Sequence, residues 1–84
     1  MDMSTVTLKG WKPGMKKVEL TKVVRKHTGY GLAEGKRCTD DVLEGKEVVL
    51  SGLDSNVARE LLNEVCEIGV IAEIKTDRVI SRRS

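Results

Sequence analysis

Cysteine is scarce in this chain: Cys38 and Cys66 stand far apart, neither has a second cysteine at CxxC spacing, and the single histidine is His27. Neither a zinc site nor a disulfide framework is indicated, and both thiols read as buried and reduced. Aromatic residues are down to Trp11 and Tyr30, a thin basis for stacking on nucleic-acid bases. The longest apolar runs, such as Val48-Val49-Leu50 and Gly69-Val70-Ile71-Ala72, fall far short of the roughly 20 residues of a bilayer span. The N-terminus also lacks a signal peptide's apolar segment, so the chain reads as cytoplasmic with no membrane contact. Internal repeats, low-complexity tracts and long linkers are missing too.

What remains is one small domain of 84 residues, 39% apolar and 33% charged, a balance typical of soluble globular chains. A chain this short buries about 60% of the surface its unfolded form exposes, which is enough for a single core. Net charge is only +2, but it is unevenly spread. Lys9 to Arg37 holds nine Lys or Arg against Glu19 and Glu34, whereas Asp40 to Glu73 holds nine acids against two bases. Such asymmetry can gather cations on one face, where they attract an acidic partner.

The β-branched, alternating Thr5-Val6-Thr7-Leu8 predicts a first strand, followed by the turn chemistry of Gly10-Trp11-Lys12-Pro13-Gly14. Lys16 to Thr28 predicts an amphipathic helix with Leu20, Val23, Val24 and His27 on its inner arc. Gly29-Tyr30-Gly31 suits the left-handed backbone that closes a helix. A second helix over Leu32–Leu43 turns Leu32, Gly35, Thr39, Val42 and Leu43 inward, and Gly45 breaks the chain. Glu47-Val48-Val49-Leu50 gives a second strand, and Asp54 or Ser55 caps a third helix with Ala58, Leu61, Leu62, Val65 and Ile68 inside. Gly69 falls just past that helix and Val70 to Ile74 forms the last strand. Residues 1–75 make one domain; 76–84, with Arg78, Arg82 and Arg83, have little to bury and read as a flexible basic tail. The order β-α-α-β-α-β returns the second strand antiparallel to the first and the third parallel to the second. The expected fold is an α+β two-layer sandwich, its three-stranded sheet in order 2-1-3 with all three helices on one face.

One aliphatic residue breaks the pattern. Val18 falls on the arc of the first helix opposite the core, with Thr21, Lys22 and Arg25, and with Lys26 at the edge. Ringed by Lys17, Lys22 and Arg25, with Lys36 carried near by the glycine turn, Val18 has the surroundings of a docking face for an acidic amphipathic segment. Lys17-Val18, Thr21-Lys22, Arg25, Thr28-Gly29-x-Gly31-Leu32-x-Glu34-x-Lys36 resembles the signature of the C-terminal domain of the bacterial ribosomal stalk protein, seven/twelve of the large subunit. The likeness runs from Val6 to Lys75 and includes the closing Gly69-Val70-Ile71-Ala72-Glu73-Ile74-Lys75. It implies a domain that recruits translation GTPases, elongation or initiation factors, with Val18, Thr21, Lys22 and Arg25 at the contact. Lys17, Gly31 and Lys36 complete the expected partner-binding set. Two residues depart from the pattern: Thr21 stands where the family usually carries an exposed aliphatic, and Gly35 replaces an alanine. The family's dimerisation segment and hinge are missing ahead of the first strand, so the chain reads as a free-standing paralogue whose ribosome attachment is open.

Three rival readings compete with this one. The Clp protease adaptor is similar in fold, but its acidic amino-group-binding stretch after the first strand is replaced by Gly10-Trp11-Lys12-Pro13-Gly14. A nucleic-acid module would use the basic first half, the arginine tail and Trp11 or Tyr30; Gly29-x-Gly31 lacks the further glycine and Lys-Ser/Thr of a phosphate loop. For an enzyme, His27 has no serine or cysteine partner at recognisable spacing and Asp40-Asp41 read as a solvated pair, so no catalytic residue, metal or cofactor is expected.

Overall fold

The computed structural model describes residues 3–77. Six elements follow in the order β1 (Met3–Trp11), α1 (Lys17–Thr28), α2 (Leu32–Leu43), β2 (Val48–Asp54), α3 (Ser55–Glu67) and β3 (Val70–Asp77). The sheet has the order β2-β1-β3, with β1 antiparallel to both neighbours. This is the expected α+β arrangement.

Alternation along the strands decides which face is covered. Ser4, Val6 and Leu8 of β1, Val48 and Leu50 of β2 and Val70 of β3 are buried, whereas Val49 and Ile71 face outward and stay exposed. The covered face meets Leu20 and Val24 of α1, Cys38 and Val42 of α2, and Ala58, Leu61 and Val65 of α3 in one core cluster. α2 and α3 lie against the sheet, and α1 rests chiefly on those two helices. That position leaves the far side of α1 at the surface.

All three strands outrun their predicted lengths. β1 continues through Gly10 and Trp11 because β3 pairs with it as far as Val70, a register shift between Leu8 and Gly10 absorbing the extra residue Lys9. β2 runs through Gly52, which adopts φ +71°, to Asp54, and β3 reaches Asp77 opposite Met3. A strand laid against a partner extends for as long as the partner offers hydrogen bonds, which local composition does not reveal. The predicted flexible tail begins at Thr76, yet Thr76 and Asp77 pair with Ser4 and Met3 as the end of β3; the rest of it, from Arg78 onward, lies outside the described residues.

Two burial expectations fail. Leu32, placed on the inner arc of α2, is 51% exposed, because α2 enters the core cluster only with Cys38 and Val42. Cys66, expected to be buried, is exposed on α3. Cys38 is buried, and burial, with the Asp41 and Glu34 carboxylates adding to it, pushes its thiol above the ordinary value despite Arg37. No helix among the described residues is long and apolar enough to cross a membrane.

α1 and α3 are also joined by charge. The Glu64 carboxylate of α3 accepts from Lys26 Nζ at 2.7 Å and meets His27 Nε2 at 2.8 Å. His27 keeps only 7% of its side chain exposed, in line with its place on the inner arc. The Lys26 hydrogen bond, then the His27 one, holds the Glu64 carboxyl below its ordinary value of 4.5. A depressed carboxylate contributes stability above the unfolded-state value that is lost as pH falls through the folded one. Glu64→Gln is therefore expected to be less stable than the parent at pH 7, by about 1 kcal/mol, with the gap closing below about pH 4.5. Urea midpoints measured from pH 7 down to pH 3 check this, and parallel pH curves for the two proteins would refute it.

Candidate functional site

α1 begins without a side-chain cap at Lys16, and Lys17 occupies its first turn. A cation there opposes the helix dipole and costs a few tenths of a kcal/mol, so local helix stability does not explain it. The other end of α1 is conventional. Gly29, at φ +79°, sends its N–H to the Arg25 carbonyl at 3.0 Å, and Arg25, Lys26 and His27 stand in the last turn. The chain then reverses through Tyr30 and Gly31 into α2.

Between α1 and α2 lies an open groove of about 220 Å³, lined by Lys17, Val18 and Thr21 from α1 and by Lys36, Thr39 and Asp40 from α2. Val18 is 61% exposed, as its position on the outer arc of α1 predicts. Among the described residues, no ion pair within 4 Å engages Lys17, Lys36 or Asp40. The groove thus offers two exposed ammonium groups beside an exposed aliphatic side chain.

Four of the seven expected contact residues, Lys17, Val18, Thr21 and Lys36, line this groove. Lys22 and Arg25 are exposed on α1 but outside the lining; Lys22 Nζ stands 3.9 Å from Glu19 Oε2. Gly31 sits at the start of α2 with φ −72° and ψ 174°, an extended backbone open to any residue, so the left-handed role predicted for it belongs to Gly29 alone. Open space surrounds the place a Gly31 side chain would take. Lys26, at the predicted edge of the face, is turned to Glu64 instead. Thr39 and Asp40 were absent from the expected set. Their spacing from Lys36, three and four residues on, was the available signal.

The two departures at Thr21 and Gly35 share one structural cause. Thr21 Oγ1 lies 2.7 Å from Thr39 Oγ1, a hydroxyl contact tying α1 to α2. One turn along, Gly35 is buried under Arg25: a Cβ there would come within 2.7 Å of Arg25 Cγ, 3.1 Å of Cδ and 3.3 Å of Thr21 Cγ2. The bare glycine lets the arginine stem cross α2, and Arg25 Nε donates to the Tyr30 carbonyl at 3.4 Å. Close approach offsets the helix propensity that glycine forfeits, about 1 kcal/mol.

Other candidates do not assemble. Tyr30 is partly buried against the core, whereas Trp11, 42% exposed, donates its Nε1–H to the Leu43 carbonyl at 3.3 Å. Among the described residues, no group of three or more His, Cys, Asp or Glu is placed to hold a metal ion.

Fold and groove together define a small α+β domain with a cationic, partly apolar channel between its first two helices. The chain is 36% identical over 74 residues to the large ribosomal subunit protein bL12 of Fervidobacterium nodosum, covering 88% of this chain and 56% of that protein. It is 42% identical over 72 residues to bL12 of Ralstonia pickettii, covering 84% of this chain and 53% of the relative. No family model matches. The chain is a bL12-like domain, homologous to these ribosomal stalk proteins over most of its own length, and it spans about half the length of the curated relatives it matches.

Proposed function

We propose that this domain is a cytoplasmic, non-catalytic docking module that grips an acidic amphipathic segment of a translation GTPase. The observation that carries the reading is Val18, 61% exposed beside Lys17 and Lys36, neither of which has a carboxylate partner among the described residues. An aliphatic spot set among cations supplies desolvated contact once docked, while the cations steer the encounter. Kinship with large-subunit ribosomal proteins supports a partner that works at the ribosome.

The test is a titration of the isotope-labelled domain with a purified elongation GTPase, followed by NMR. Expected are amide shifts confined to α1, the Gly29–Gly31 turn and the first half of α2, with affinity falling gently as salt rises. Shifts centred on the open sheet face around Val49 and Ile71 would overturn the assignment. So would preferential binding of an RNA oligonucleotide with a steep salt dependence.

A further inference from the structure

We propose that the Thr21–Thr39 hydroxyl pair makes this groove select a partner segment that places a side-chain amide, rather than an aliphatic group, between its carboxylates. The inference rests on the docking reading above and deepens it. Proton accounting carries the argument. Thr21 Oγ1 is within reach of the Lys17 carbonyl at 3.3 Å and of Thr39 Oγ1 at 2.7 Å, and Thr39 Oγ1 is within reach of the Gly35 carbonyl at 3.3 Å. Two hydroxyl protons serve these three contacts. If Thr21 donates to Thr39, then Thr39 donates to Gly35; if Thr21 donates to Lys17, then Thr39 donates to Thr21. Either way both protons are spent inside the protein, and the Thr21 oxygen keeps unfilled lone pairs.

Thr39 is buried at 4% exposure, so Thr21, half-buried at the groove, is the member a ligand meets. Asp40 adds a carboxylate, a second acceptor, to the same lining. Lys17 and Lys36 supply the donors for acidic side chains, while Thr21 and Asp40 ask for an N–H. A methyl group seated there would leave acceptors desolvated and unpaired, a penalty larger than the gain from a hydrogen bond well made. A primary amide flanked by carboxylates satisfies both sets at once.

The experiment uses two synthetic helical peptides, identical except for a central glutamine or its near-isostere methionine, each with glutamates one turn to either side. Dissociation constants are measured calorimetrically on the wild-type domain and on Thr21→Val. This substitution keeps the side chain's shape and leaves Thr39 its bond to the Gly35 carbonyl. Wild type is expected to prefer the glutamine peptide roughly three- to tenfold. In Thr21→Val the preference collapses to within about twofold, while the urea transition stays cooperative and its midpoint drops only by the loss of one interhelical hydroxyl bond. Equal or tighter binding of the methionine peptide by wild type overturns the proposal, as does a preference that survives in Thr21→Val. Binding of neither peptide would be a different failure, removing the docking reading and this inference with it.

Discussion

Leu61→Ala is expected to lower the unfolding free energy by about 2 to 5 kcal/mol, read as a drop in the urea midpoint with little change in slope. Leu61 is fully buried on α3, the helix whose apolar stripe also contributes Ala58 and Val65 to the core. Truncation forfeits the transfer energy of its methyl groups, and the surrounding side chains relax only in part over the cavity left behind. A chain of this length is stabilised by on the order of 4 to 12 kcal/mol in total, so this one change consumes much of the margin. Val18→Ala is the matched contrast: the same class of side chain, on a helix, but exposed. Its effect on stability should stay within about 0.5 kcal/mol. A Val18→Ala loss as large as that of Leu61→Ala would place the valine inside and remove the docking face.

Reversing two charges, Lys22→Glu with Arg25→Glu, is expected to slow association with an acidic partner at least tenfold at low salt. The formal net charge of the chain moves from +2 to −2, and the change is concentrated on one face of α1. Both side chains are exposed, their polar partners being Glu19 at 3.9 Å and the Tyr30 carbonyl at 3.4 Å, so the fold loses chiefly the packing of the Arg25 stem over Gly35, about 1 kcal/mol. The carboxylate introduced by Lys22→Glu would face Glu19 one turn away, a like-charge cost of a few tenths of a kcal/mol. The rate difference should narrow as salt rises, because near-surface charges more than about 10 Å apart are screened at about 0.1 M. Stopped-flow association with a fluorescent acidic peptide, measured from low to high salt, tests it. Wild-type rates from a folded double variant would remove Lys22 and Arg25 from the interface.

The helices were legible in the sequence because each obeys a local rule. The 3.6-residue spacing of Leu20, Val23 and Val24, and of Ala58, Leu61 and Val65, marks the inner faces, and both sets are buried. Asp54 accepts from the Asn56 N–H at 2.8 Å, the cap that its position before α3 predicts. Element order then constrains topology, since two helices between strands bring the chain back antiparallel whereas a single crossover leaves the third strand parallel to the second. The outward setting of Val18 belongs to the same class of inference: it follows from its angle about α1 relative to Leu20 and Val24, without any knowledge of neighbours.

Periodicity and chain order alone were enough to set the three helices, the 2-1-3 sheet and the cationic, valine-bearing arc of α1. Packing between elements set how far the strands run, that Leu32 and Cys66 face out, and that Glu64 joins Lys26 and His27 across two helices. It also decided that Thr39 and Asp40 complete the groove, and that Gly35 makes room for Arg25 while Thr21 turns its hydroxyl to Thr39. The division has one physical reason. Periodicity is a property of a single element, whereas pair contacts such as these depend on the distance and rotation between two elements, which no local pattern encodes.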